Sequence, residues 1–132
     1  MKRTGPSPEQ LALLLDIDPG TVPAMAPRFN IAPSTRAAIV RHDAEDQRKV
    51  HLVRWGLVPS WAKELKIGHR MINARAETIA EKPAYRSAFK RRRCLVMTDG
   101  FYEWQEREGS DRKQPWFIHR TDEQPLALAG IW

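Results

Sequence analysis

Cys94-Leu95-Val96-Met97-Thr98-Asp99-Gly100-Phe101-Tyr102-Glu103-Trp104-Gln105 is the stretch on which the fold turns. Its apolar run and its aromatic-rich run read as two short strands, 94–97 and 100–105. Alternation along the second puts Phe101 and Glu103 on one face and Tyr102 and Trp104 on the other. Downstream, residues 106–114 are a polar turn containing Gly109, and strands are expected again at 116–119 and 126–131. Upstream, a short helix is expected from Lys82-Pro83 to Phe89, and one helical turn over 60–66. Two β-rich runs, 37–41 and 50–58, flank the polar stretch 42–49 and read as a hairpin.

The amino-terminal part is helical and then irregular. Ser7-Pro8-Glu9-Gln10 opens a helix, with Ser7 as N-cap, Pro8 at the first helical position and Gln10 completing a capping box. Leu11, Leu14 and Leu15 supply its apolar face, and Asp18-Pro19-Gly20 ends it. Pro19, Pro23, Pro27 and Pro33 make 18–33 an ordered extended loop. Many short strands with little helix predict an α+β fold, an antiparallel, barrel-like β-sheet with a few short helices. The terminal run Leu126-Ala127-Leu128-Ala129-Gly130-Ile131-Trp132 is apolar to its last residue, without a polar cap. An unfinished apolar strand exposes an edge, so the expectation is one domain over 1–132, cut short and lacking partner strands.

Composition bounds the function classes. Apolar residues make up 42% and charged residues 29% of 132, the balance of a globular chain of one domain's length. No apolar run reaches the ~18 residues of a membrane span, and Met1-Lys2-Arg3 leads into no signal-peptide core. A lone cysteine, Cys94, cannot build a disulfide framework, which fits a soluble, cytoplasmic protein. The net charge of +6 is unevenly spread. Arg86, Lys90, Arg91, Arg92 and Arg93 cluster without an acid; Arg54, Lys63, Lys66, Arg70 and Arg75 face only Glu64. Residues 41–50 are balanced. Positive charge gathered mid-chain is what a polyanion-binding face requires, although a solvated basic surface looks the same.

The chemistry-bearing residues narrow the choice. His42, His51, His69 and His119 lack zinc-ligand spacing, and there is no phosphate-binding glycine loop, so no metal or cofactor is expected. Cys94 follows three arginines but opens an apolar run, where a small buried residue is expected. Trp55 and Trp61 bracket a Gly/Pro turn beside basic residues, an arrangement suited either to stacking on unpaired bases or, for Trp55, to core packing. Asn73-Ala74-Arg75-Ala76-Glu77 is a dense polar set or a capped helix start. Glu103 among aromatics is either a partly desolvated carboxylate of raised pKa, suited to acid–base work, or an exposed strand residue.

Taken in order, Arg28-Phe29-Asn30-Ile31-Ala32-Pro33, Arg54-Trp55-Gly56-Leu57-Val58-Pro59-Ser60-Trp61, Ile72-Asn73-Ala74-Arg75-Ala76-Glu77 and Asp99-Gly100-Phe101-Tyr102-Glu103-Trp104 resemble the SOS-response-associated peptidase (SRAP) family. The resemblance runs from about residue 8 to Trp132. It implies processing of abasic sites in single-stranded DNA through a covalent DNA–protein cross-link, with lyase and self-processing peptidase activity in the DNA damage response. It implies that Asn73 positions the reacting amine and sugar, and that Glu103 is the acid–base group. Arg75 would hold a phosphate, Pro33 and Trp104 would wedge between bases beside Asn30, and Trp61 would belong to the binding surface. The partner would be single-stranded DNA, at the nucleoid, with the protein a monomer and no cofactor. The family nucleophile is a cysteine after the initiator Met, whose amine forms a Schiff base and whose thiol closes a thiazolidine. Here position 2 is Lys2, and the family's later histidine motif is absent. The expectation is impaired catalysis; the alternatives are a non-catalytic single-strand-binding remnant or a non-functional truncated product.

Overall fold

The computed structural model describes residues 6–26 and 28–132; Lys2 and Pro27 lie outside them. The fold is α+β with antiparallel sheets and, among the described residues, two short α-helices, α1 (Pro8–Leu15) and α2 (Arg86–Arg91). Strands β1 (Arg36–His42), β2 (Arg48–Arg54), β3 (Arg93–Thr98) and β6 (Leu126–Ile131) form one sheet, in the order β2-β1-β3-β6. Strands β4 (Phe101–Arg107) and β5 (Ser110–Ile118) form a separate two-stranded sheet. The larger sheet is open, with β2 and β6 at its edges, so the closure implied by a barrel-like sheet is not reached.

α1 begins as its sequence dictates. Ser7 Oγ accepts from the Gln10 N–H at 3.2 Å, and Gln10 Oε1 accepts from the Ser7 N–H at 2.8 Å. Its buried face is Leu11, Ala12 and Leu15, whereas Leu14 is exposed. At 100° per residue, positions 11, 12 and 15 fall within one arc and position 14 falls outside it, so Ala12 takes the place expected of Leu14. That face packs with Val22 against Val40, Val50 and Met97, one side of the sheet. Arg48 fastens the helix end by donating to the Leu15 carbonyl at 3.0 Å. On the sheet's other side Ile39, Cys94 and Thr98 are also buried.

The expected β1–β2 hairpin is present, with His42 opposite Arg48. Asp43 Oδ1 shapes its turn by accepting from the Glu45 and Gln47 amides at 3.0 and 2.9 Å. Other boundaries move. The polar stretch 106–114 is a turn only at 108–109: Arg107 pairs with Ser110, and Gly109 takes φ +74°. Polar side chains do not prevent a ladder when both faces of the hairpin meet water. The helical turn expected over 60–66 is displaced to a 3-10 helix, Leu65–Arg70. The helix expected from Lys82 opens as turns, and α2 proper starts at Arg86, beyond Pro83.

Candidate nucleic-acid interface

The site is organised by the way the chain leaves β2. Gly56 sits at φ +127°, and a Cβ built there would lie 2.5 Å from the Gly68 carbonyl oxygen. A Cβ on Gly68 would lie 2.9 Å from the Gly56 carbonyl oxygen, so the two backbones touch. This turn ends β2 at Arg54, short of the expected 58, and folds 57–72 back over the strand ends. The returning segment is held at three consecutive carbonyls. The Leu57 amide donates to Met71 O at 3.0 Å, the Trp55 indole Nε1–H to Ile72 O at 2.8 Å, and the Tyr85 hydroxyl to Asn73 O at 3.4 Å. Trp55 is half-buried and spends its polar atom as a tether. Asn73 and Arg75 emerge exposed just after these anchors. Residues 76–80 form turns, so Asn73 caps no helix.

The loop carrying Asn30 and Pro33 is fastened to the same place. Arg28 donates to the Arg36 carbonyl and, at 2.9 Å, to Thr35 Oγ1. Thr35 Oγ1 donates onward to Ala32 O at 2.7 Å, and the Ser34 amide donates to Trp55 O at 2.8 Å. Asn30 and Pro33 stay exposed on the closed loop. Trp55 thus brings the Asn30–Pro33 loop and the Asn73–Arg75 loop to one end of the β1–β2 ladder. Two shallow hollows lie on the residues that follow, one on 61–70 and one on 80–93. Trp61, 59% exposed, lines one with Lys63, Glu64, Lys66 and Arg70; Phe89 lines the other among Arg86, Lys90, Arg91 and Arg93, with no acid.

Glu103 and Trp104 stand on the β4–β5 hairpin. On one face Tyr102 lies between Trp104 and Phe117, with ring centroids 6.4 and 5.2 Å apart, and Phe117 stacks on His119 at 5.4 Å. Glu103 is on the opposite face, across from Trp116, and is exposed. The desolvation expected of its carboxylate is not provided, because Tyr102 and Trp104 point to the other side. Among the described residues no hydrogen bond joins 101–118 to the end of β2 that carries Asn73. The structure therefore gathers Asn30, Pro33, Asn73 and Arg75, and carries Glu103 and Trp104 on a second element.

Cys94 is buried in β3, and its Sγ lies 2.9 Å from where a Gly130 Cβ would sit. Burial pushes its thiol pKa up, the reverse of activation by the preceding arginines. Two residues escaped the sequence reading: Arg28, which closes the loop, and His69, which touches Ser34 and Arg54. Arg28 was visible within its motif, but its hydrogen bonds to 35 and 36 depend on loop curvature. Nothing in the spacing of 34, 54 and 69 signals their meeting. Among the described residues no group of three or more His, Cys, Asp or Glu is placed to hold a metal ion, and no helix is long and apolar enough to cross a membrane.

An open antiparallel α+β scaffold with its basic and aromatic residues turned outward defines the class. A family model described as SOS response associated peptidase (SRAP) matches residues 3–132. Abasic site processing protein YoaM of Bacillus subtilis (strain 168) is 45% identical over 106 residues, 80% of this chain and 46% of its own length. Abasic site processing protein HMCES of Rattus norvegicus is 38% identical over 104 residues, 70% of this chain and 30% of its own. The crystal structure of a phage-related protein from Bordetella bronchiseptica superimposes with a TM-score of 0.74 at 29% identity, covering 98% of this chain and 58% of that one. The chain belongs to the SOS response associated peptidase family. It spans about half the length of the curated relatives it matches.

Proposed function

We propose that this chain acts on abasic sites in single-stranded DNA, in the DNA damage response at the nucleoid. The observation that carries the reading is the tethering through Trp55 of the Asn30–Pro33 and Asn73–Arg75 loops to one end of β2, with a hollow rich in bases and lined by Trp61 on the segment between them. Family membership supplies the substrate class. Arg75 and the bases of α2 meet phosphates, Trp61 offers a ring for stacking, and Pro33 and Trp104 separate neighbouring bases. Asn73 orients the opened sugar.

The chemistry is that of an amine with an aldehyde. An amine of the chain adds to the sugar aldehyde and expels water to form an imine. Loss of the proton from the neighbouring carbon then breaks the 3′ carbon–oxygen bond, with the phosphate leaving, and water releases the amine. Glu103 takes and returns the protons. Cys94, buried in β3, does not supply a sulfur that could close the imine into a thiazolidine, and with these residues alone the adduct is transient and the activity lyase-like.

The test is incubation with a single-stranded oligonucleotide bearing one abasic site, resolved on a denaturing gel with and without borohydride. A shifted band that requires borohydride, accompanied by strand cleavage, is expected. Glu103→Gln should slow cleavage by on the order of 100-fold. A heat-stable adduct without borohydride would overturn the transient imine. Binding without any cleavage would favour a second reading, a non-catalytic single-strand binder, which the placement of Glu103 on a separate hairpin from the Asn73 loop also favours.

A further inference from the structure

Ser34, Arg54 and His69 come from three separate segments and meet within hydrogen-bond range. Ser34 Oγ lies 3.1 Å from His69 Nδ1, and an Arg54 guanidinium nitrogen lies 3.4 Å from His69 Nε2. Backbone contacts hold each segment in place. Ser34 takes φ +69°, and its amide is bonded to Trp55 O. Arg54 ends β2, and His69 follows Gly68, which is pressed against Gly56.

The hydrogen-bond directions follow from the donors. A guanidinium can only donate, so His69 Nε2 accepts and the ring proton sits on Nδ1, where it faces Ser34 Oγ. The serine O–H is then left to donate outward, as are the remaining guanidinium N–H groups. Arg54 and His69 are exposed, and no carboxylate bonds to any of the three among the described residues. A hydroxyl and a guanidinium that are oriented by one imidazole, keep donors to spare and lack a balancing acid are composed for an oxyanion. Ser34 directly follows Pro33, so a strand wedged at Pro33 would run its backbone past this cluster.

We infer that Ser34, Arg54 and His69 form a phosphate-binding site whose ligand is a phosphodiester of the bound single strand. This rests on the single-strand-binding part of the function proposed above but not on its abasic-site chemistry. The test therefore uses the 132-residue chain and an undamaged labelled oligonucleotide, compared with the same oligonucleotide carrying an uncharged methylphosphonate backbone. On the natural backbone, Arg54→Gln and His69→Ala should each weaken binding roughly threefold to tenfold, the range for an exposed charge-assisted contact. Arg54→Gln should also flatten the slope of log affinity against log salt by about 0.7, one phosphate neutralised on a single strand, whereas loss of the uncharged His69 ring, which orients the guanidinium, should leave the slope unchanged. On the uncharged backbone both variants should bind like the unsubstituted chain, and His69→Gln, which keeps an acceptor for Arg54, should restore part of the loss. Inorganic phosphate, followed by NMR of the His69 ring, separates the two sources of the anion. Ring shifts with phosphate but an unchanged salt slope for Arg54→Gln would mean that the site takes free phosphate, and the strand assignment fails. Equal losses on both backbones would make the cluster structural and overturn the proposal. Binding of the strand with no effect of either variant overturns this site alone. No binding by the unsubstituted chain overturns the functional reading with it.

Discussion

A methyl group at position 56 would have to occupy space already filled by the Gly68 carbonyl, on a backbone that L-residues rarely adopt. Gly56→Ala should therefore cost about 2–4 kcal/mol, a strained φ plus overpacking, read as a lowered unfolding midpoint. Gly68→Ala should do similar damage from the other side of the contact. Cys94 gives a different residue-scale expectation. Its thiol is buried and its pKa raised by that burial, so alkylation at mildly alkaline pH should run about tenfold or more slower in the folded chain than in denaturant. Fast labelling of the native chain would remove Cys94 from the core.

At the scale of elements, α2 is the basic face that composition pointed to. Its first and last turns and Arg93 surround Phe89 with cations. Replacing Arg86 and Lys90 with alanine should flatten the salt dependence of single-strand binding by about 0.7 for each phosphate left without its cation, with little change in stability. An unchanged slope would leave α2 a solvated surface. The same scale shows what a sequence can reveal. The capping box of α1, the 42–49 hairpin and the paired β-rich runs were legible because each rests on residues near one another in the chain. The limits of β2 and β5 were not. β2 stops where Gly56 meets Gly68, twelve residues away, and β5 starts early because polar residues pair freely when no face is buried. The candidate site divides along the same line. The exposure of Asn73 and Arg75 was readable from polarity. Their anchoring by Trp55 and Tyr85 needed the fold, and the exposure of Glu103 needed the hairpin's register.

At the scale of the whole molecule, His51 contributes to the dependence of stability on pH. Burial, reinforced by Arg41 and Lys49 and opposed by Asp43, lowers its pKa in the folded chain. The unfolded state then binds protons more readily, so stability falls as pH drops below the ordinary imidazole range near ~6.5. Unfolding midpoints should decline from about pH 7 to about pH 5, and His51→Gln should flatten that decline. The carboxylates act elsewhere. Asp43 is lowered by backbone bonding from Gln47, and Asp122 is held at about 2 by Arg120. Both stabilise above the normal carboxylate range and lose that contribution only in stronger acid, which keeps the two effects separable. An upward trend on acidification through pH 6 would contradict the assignment to His51.

The three held carbonyls of Met71, Ile72 and Asn73 have a thermodynamic consequence. Peptide planes fixed by donors from three directions have little rotational freedom left to surrender when a ligand arrives. Strand binding at Asn73 and Arg75 should then carry only a small ordering penalty, so calorimetry should record a heat-capacity change no larger than contact burial requires. Trp55→Phe removes the indole donor from the central carbonyl. That variant should bind with a larger entropic penalty while its unfolding midpoint falls by no more than one hydrogen bond's worth, about 1 kcal/mol.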